Sequence, residues 1–249
     1  MTETMLVIQI LIVVILLFVV GKLFSIGRSL KRTQAQAGVR LTQQLEALDR
    51  LYFRTGLPRG SLPPSRGWGA SPDFLNILYE EIIRRRPACV VECGSGLTTI
   101  ISARALQKIG PGRVISLEHD DGFADLTRDN LRLLDLHEFV DIRVAPLVPQ
   151  VIGGKEYLWY ELSDFEIPDR IDLITVDGPP ELLTGAEGRY PVGPALFDRL
   201  SVGGAVLFDD AGRPGEKGVI DRLLREFQVF ERKDISTEKG CSILTFRMD

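Results

Sequence analysis

The sequence predicts a doubly wound α/β domain: a mostly parallel seven-stranded sheet with an antiparallel C-terminal strand, preceded by one N-terminal transmembrane helix. Three observations predict it. Short apolar runs alternate with helical stretches and end in acids or glycines, as parallel strands joined by crossover helices do. The last two runs are joined by the short polar link Thr237-Glu238-Lys239-Gly240, which implies an antiparallel pair. Met5 to Val20 is apolar except for Gln9 and continues through Gly21-Lys22-Leu23-Phe24. As a helix this run is about 30 Å long, the thickness of a bilayer core.

Bases follow the span at Lys22, Arg28, Lys31, Arg32 and Arg40, with no acid until Glu46. The positive-inside rule therefore places the rest of the chain in the cytoplasm, and the same bases suit anionic headgroups. A cleaved signal peptide wants bases before the apolar run and small residues after it. Thr2-Glu3-Thr4 and Lys22-Leu23-Phe24-Ser25 supply neither, so residues 1–30 read as an uncleaved single-pass anchor. Residues 31–67 read as a juxtamembrane segment. Within it Leu41, Leu45, Leu48 and Tyr52 recur at spacings of four, three and four. That pattern predicts an amphipathic helix over 39–53, able to pair in a homodimer, lie on the membrane or pack on its own domain. The stretch from Gly56 to Gly69 carries four glycines and three prolines and reads as a linker or a substrate-side lid. Trp68 at its end is a core anchor or part of an acceptor pocket.

Residues 68–249 are enough for one domain with one core. Ser71-Pro72-Asp73 opens an amphipathic helix whose end, Arg84-Arg85-Arg86, is a solvated last turn favoured by the helix dipole. Val90-Val91-Glu92-Cys93-Gly94-Ser95-Gly96-Leu97-Thr98-Thr99 then reads as a buried strand, a glycine turn and a helix start. Glycines let backbone approach a ligand closely, and the free N–H groups of the helix start face the same space. Glu92 would repel a dinucleotide's diphosphate there and suits a cationic ligand. Thr99 stands where the dinucleotide fingerprint wants its third glycine.

A second strand, Val114 to Leu117, ends in Glu118-His119-Asp120, with Glu118 lying 24 residues after Gly94. One βαβ unit on, an acid can accept both ribose hydroxyls; a solvated strand-end acid is the plainer alternative. His119 is either structural or an adenine or ribose contact. A third strand, Val140 to Val144, leads into Ala145-Pro146-Leu147. The fourth, Ile171 to Val176, ends in Asp177-Gly178-Pro179-Pro180, and the fifth, Gly203 to Phe208, in Asp209-Asp210. A helix over Lys217 to Phe227 precedes the closing strands, Val229 to Arg232 and Ser242 to Arg247.

Open parallel sheets bind ligands at the carboxyl ends of their strands, so Asp177, Asp209 and Asp210 reach one rim. Three acids repel each other unless something positive sits between them. Oxygen-only ligands suit magnesium or calcium better than zinc. Alternatively, Asp209 or Asp210 caps the following turn and Asp177 only orients the ligand. Arg189, in the loop from Gly178 to Pro191, can grip a carboxylate or phosphate on an acceptor or be a plain surface arginine.

The acid-x-Gly-x-Gly run of Glu92, Gly94 and Gly96 resembles the first motif of the class I S-adenosylmethionine-dependent methyltransferases, a Rossmann-like family. The strand series and its two-strand ending extend the resemblance over about residues 68 to 249. In that family the acid lies near the methionine ammonium and the glycines pack under the ligand. The resemblance therefore implies S-adenosylmethionine (SAM) as cofactor, held by Glu92, Gly94, Ser95, Gly96, Glu118, His119 and Asp177, with Ala145 at the adenine edge. Asp177 with Asp209-Asp210 is also similar to the Asp and Asp-Asn of catechol-type O-methyltransferases. That similarity implies magnesium, and a catalytic role for Asp177 and Asp209 on a hydroxyl acceptor. Two positions depart from it: Asp210 stands for the Asn, and Pro180 for a basic lysine. The runs Asp177-Gly178-Pro179-Pro180, Arg189-Tyr190-Pro191 and Phe208 to Arg213 resemble a bacterial branch of the family, which with the anchor implies a membrane-proximal, glycan-linked or lipid-linked acceptor. A small-molecule acceptor, a nicotinamide (NAD)-dependent oxidoreductase and an inactive membrane-tethered scaffold are the competing readings.

Charge narrows the partners. Up to residue 60 the chain has eight bases and three acids, which leaves 22 of its 30 bases and 31 of its 34 acids in the rest. An acidic domain with no basic tract other than Arg84-Arg85-Arg86 is a poor nucleic-acid binder. Cys89, Cys93 and Cys241 form no CxxC pair and read as reduced thiols, with Cys93 a small buried filler in the glycine motif.

Overall fold

The structure is a computed structural model that describes residues 3–65 and 69–247 and divides after Glu46 into two compact units. The division falls within helix α1 (Glu3–Thr55). In the first unit the side chains from Met5 to Val20 are exposed, and α1 is the one helix among the described residues long and apolar enough to cross a membrane. The separate amphipathic helix expected over 39–53 is instead the last part of this 53-residue helix, since no proline or turn sequence interrupts it. Its expected stripe is also displaced. Leu41 and Leu45 are exposed, while Ala47, Leu51 and Thr55 are the residues buried in the second unit.

The second unit is a seven-stranded sheet. In chain order its elements begin with α2 (Pro72–Arg85), β1 (Cys89–Cys93), α3 (Leu97–Ile109), β2 (Arg113–Glu118), α4 (Asp121–Leu133) and β3 (Val140–Val144). A hairpin follows, β4 (Leu147–Ile152) and β5 (Lys155–Tyr160), then β6 (Ile171–Val176), the short α5 (Glu181–Thr184) and α6 (Val192–Leu196), and β7 (Leu200–Phe208). The unit closes with α7 (Pro214–Glu226), β8 (Phe230–Ile235) and β9 (Cys241–Phe246). The sheet order is β3-β2-β1-β6-β7-β9-β8, with β9 antiparallel to both neighbours and every other pairing parallel. This is the architecture the sequence predicts.

Period-two alternation sorts the strand residues onto two helix-facing layers. Val90, Val114, Leu173 and Leu207 pack with Phe74, Leu78 and Ile82 of α2 and Ile101 and Leu106 of α3. Val91, Cys93, Leu117, Val176 and Phe208 pack on the other face with Val219 and Leu223 of α7. Each large apolar side chain so buried contributes roughly 1.5–3 kcal/mol before the entropy of ordering it. The second layer holds a feature the sequence reading did not predict. The crossover from β3 to β6 is made by the β4–β5 hairpin, turned by Gly153 and Gly154 at φ of 59° and 80°, where a crossover helix would be expected. Tyr157, Trp159 and Tyr160 of β5 fill the helix's place in the core.

Candidate active site

A cavity of about 400 Å³ opens at the carboxyl ends of β1, β2 and β6. Its near wall is the glycine turn, in which Gly94 has φ +93° and Gly96 φ +151°, backbone that side-chain-bearing residues rarely adopt. A Cβ on Gly94 would also come within 3.0 Å of the Gly178 backbone nitrogen, so the β1 and β6 ends meet because both lack side chains there.

Glu92 does not line this cavity. Alternation turns its side chain to the α3 face, where it is wholly buried and its Oε2 accepts hydrogen bonds from Thr99 Oγ1 (2.5 Å) and Ser116 Oγ (2.8 Å). Thr99 Oγ1 in turn accepts from the Gly96 N–H at 2.9 Å. The residue in place of a third glycine is thus the link that ties the turn to Glu92. Burial pushes the Glu92 carboxyl up to about 7. The sequence reading expects this carboxylate near a ligand ammonium; here it lies beneath the turn, and its Oε1 has no hydrogen-bond partner among the described residues.

At the far end of the turn, Glu118 is a hub. Its Oε2 accepts the Ser95 N–H and hydroxyl, each at 2.9 Å, and its Oε1 accepts the His119 and Asp120 N–H groups at 2.8 and 3.1 Å. His119 Nδ1 lies 2.9 Å from the same oxygen. Burial alone would raise the Glu118 pKa, but these donors together hold it below the usual range, and the contact raises that of His119. Ser95, Glu118 and His119 all line the cavity. Ala145 does not; it is buried and donates its N–H to Glu118 O at 2.6 Å.

The opposite end of the cavity is Asp177, which also borders an adjoining hollow of about 530 Å³. Here β6 and β7, in parallel register, bring Asp177, Asp209 and Asp210 together, with one carboxylate oxygen of each within 4.8 Å of the others. Asp210 sits at φ +61°, a left-handed conformation that Asp tolerates better than most residues. The positive charge such a cluster requires is Arg189. Its guanidinium is buried, 3.2 Å from Asp210 Oδ2 and 3.3 Å from Glu216 Oε1, and it donates to Asp177 O at 2.6 Å. Bonded to the rim in this way it holds the acids together, and it also lines the second hollow, where the sequence reading places a grip on an acceptor. Arg213 adds a contact to Asp210 Oδ1 at 3.0 Å. Burial and crowding raise the Asp177 carboxyl to about 6, Glu216 to about 7 and Asp209 well above the usual range. Neither carboxylate oxygen of Asp209 has a hydrogen-bond partner among the described residues.

Two wall segments escaped the sequence reading or were only outlined by it. Pro63, Pro64 and Gly69 close one side of the cavity, in the stretch read as linker or lid. Tyr160 forms part of the floor and is fully buried. Trp68 lies outside the described residues.

Residues 91–211 match the family model of the methyltransferase domain. The seven-stranded unit has the Rossmann-like methyltransferase fold. Solved structures agree on this domain's architecture. An O-methyltransferase from Bacillus cereus, solved in complex with SAH, is 17% identical with a TM-score of 0.54, over 81% of this chain and 91% of that one. The O-methyltransferase TomG from Streptomyces achromogenes, involved in tomaymycin synthesis and solved with SAM, is 15% identical at 0.56, over 85% and 96%. The SAH-bound methyltransferase PaMTH1 from Podospora anserina is 15% identical at 0.57, over 81% and 88%. At such identities the likeness to these proteins is one of fold. No curated protein sequence matches the chain.

Proposed function

We propose that the protein is a SAM-dependent O-methyltransferase acting on a hydroxyl of a membrane-proximal, glycan-linked or lipid-linked acceptor. One observation carries the reading: a single cavity joins the glycine turn and Glu118 to Asp177, and Asp177 also faces a second hollow. Cofactor on one side and acceptor on the other would meet at that carboxylate. The SAM and SAH held by the O-methyltransferases of like fold support the same assignment. The Ser95 and Glu118 end suits a ribose, and the acidic Asp177 end suits a sulfonium.

SAM's methyl is already activated, so the protein has to align an acceptor oxygen with it and take the oxygen's proton. In the transfer the oxygen would bond to the methyl as the C–S bond breaks with its electron pair left on sulfur, and Asp177 would take the proton. A carboxyl at about 6 is ionised at neutral pH and near enough to it to serve as base. The three aspartates fit a hard divalent cation, since their oxygens are close together and those of Asp209 are buried without partners. Bound there, magnesium would lower the acceptor's pKa, an alternative to Asp177 acting as the base.

Helix α1 and the basic flank from Lys22 to Arg40 support a single-pass anchor with the domain in the cytoplasm. Leu182 at the second hollow is 83% exposed, an apolar border that suits an acceptor with an apolar tail. Exposed Leu41 and Leu45 suit pairing with a second copy through residues 39–53. The deciding experiment is calorimetric titration of the full chain in detergent with SAM and with NAD, each with magnesium and with chelator, followed by a panel of hydroxyl acceptors. Micromolar binding of SAM and turnover that chelator abolishes are expected. Binding of NAD in its place overturns the reading, and binding of neither favours a scaffold.

A further inference from the structure

Tyr160 ends β5 of the hairpin that replaces the crossover helix, and its ring is fully buried against Trp159, edge to face with centroids 5.0 Å apart. Its hydroxyl has no hydrogen-bond partner among the described residues, although buried hydroxyls normally find one. A Cβ added to Gly178 would lie 2.8 Å from this oxygen and 3.0 Å from Gly94 Cα. The hydroxyl therefore sits against Gly178, next to Asp177, and Gly178 in turn meets Gly94, next to Ser95 and its Glu118 contact. Burial raises the phenol's pKa well above its usual value, so the group stays neutral and offers lone pairs and no charge.

We infer that the Tyr160 hydroxyl oxygen faces the sulfonium of bound SAM, midway between the ribose at Glu118 and the acceptor at Asp177, and makes the site prefer the cationic cofactor over its neutral thioether product. This rests on the reading that the cavity takes SAM. The chemistry is direct: a sulfonium spreads positive charge over its attached carbons, whose hydrogens are attracted to an oxygen lone pair, and the thioether carries no such charge. Gly178 leaves open the space a side chain would take from the hydroxyl. The hairpin is what brings the hydroxyl there.

The test is calorimetric titration of the full chain and of Tyr160→Phe in detergent with SAM and, separately, with S-adenosylhomocysteine. The substitution should weaken SAM about fivefold, as expected for one polar contact, and leave the homocysteine product unchanged. The melting temperature of the ligand-free variant should be no lower than that of the parent, because the oxygen removed has no partner. Equal weakening of both ligands would make Tyr160 a structural element only, and no weakening of either would remove it from the site. A parent protein that binds neither ligand would instead overturn the function proposed above. That outcome is told apart from failure of the Tyr160 inference by the parent titrations alone.

Discussion

The two ends of the cavity treat carboxylates in opposite ways. At the end proposed for the ribose, Glu118 receives several donors and its pKa falls; at the end proposed for the acceptor, Asp177, Asp209 and Glu216 crowd around one arginine and their pKa values rise. At the first end both oxygens of Glu118 are already paired before any ligand arrives. The second holds carboxylate oxygens of Asp209 that nothing among the described residues satisfies. The contrast teaches that binding and chemistry are placed on different footings: the recognition end is preorganised, and the reacting end keeps unspent electrostatic capacity for a proton or a cation.

Removing Arg189 should have the largest effect, because it is the buried cation of the reacting end. Arg189→Met leaves Asp210 and Glu216 facing each other and should cost about 3–5 kcal/mol in chemical denaturation of the full chain. Magnesium should restore more stability to this variant than it adds to the parent if the rim accepts a divalent cation. A loss below about 1 kcal/mol, within the range of a surface pair, would show that the acids are not held by this residue and would erase the contrast.

At the recognition end, Thr99→Val breaks a link whose two sides are the Gly96 N–H and Glu92. Stranding buried polar groups should cost about 2 kcal/mol, and the loosened turn should weaken SAM. Unchanged stability would mean that the turn is held by its glycines alone. The pH dependence separates the ends more finely. Asp177 stands at about 6 in the folded protein against an ordinary 3.8. The folded state then binds the extra proton, and Asp177's contribution to stability is full below about pH 4 and lost as pH rises through 6. Glu118 is shifted the other way from 4.5, so its contribution is present above that value and lost as the medium becomes more acidic. In thermal melts from pH 3 to 8, Asp177→Asn should flatten the fall toward neutrality by roughly 1–2 kcal/mol, and Glu118→Gln should flatten only the acid limb. Identical profiles for the two variants would contradict the assigned shifts.

The sheet was legible because strand ends, glycines and acids are local signals. β3 and β6 match their sequence-predicted spans, and the parallel order with its antiparallel ending follows from the segment lengths. The sequence also put Asp177, Asp209 and Asp210 on one rim, because adjacent parallel strands end at the same edge. Side-chain direction was harder to read. Glu92 looked like a ligand contact by position in its motif, yet strand alternation turns it under α3; the neighbours Val91 and Cys93, both on the opposite layer, carried that signal. Arg189 looked like an acceptor grip, although the need for positive charge among three acids already pointed to it. The β4–β5 hairpin was foreshadowed by Gly153-Gly154 between Val151-Ile152 and Tyr157-Leu158, but its use as a crossover, and with it the place of Tyr160, depends on packing that no local pattern encodes.

The smallest expected effect tests the outer border of the reacting end. Leu182 is 83% exposed on α5, so Leu182→Ser should leave stability within about 0.5 kcal/mol. Its influence should show only when an acceptor covers it. Methyl transfer to a short hydroxyl compound should be unaffected, while KM for the same head group carrying an acyl chain should rise about three- to tenfold, the worth of a partly buried leucine contact. The comparison then sharpens to one edge: if both acceptors respond alike, the apolar border serves the shape of the hollow, and if only the long-chain form responds, the border is where the tail of the acceptor rests while its hydroxyl reaches Asp177.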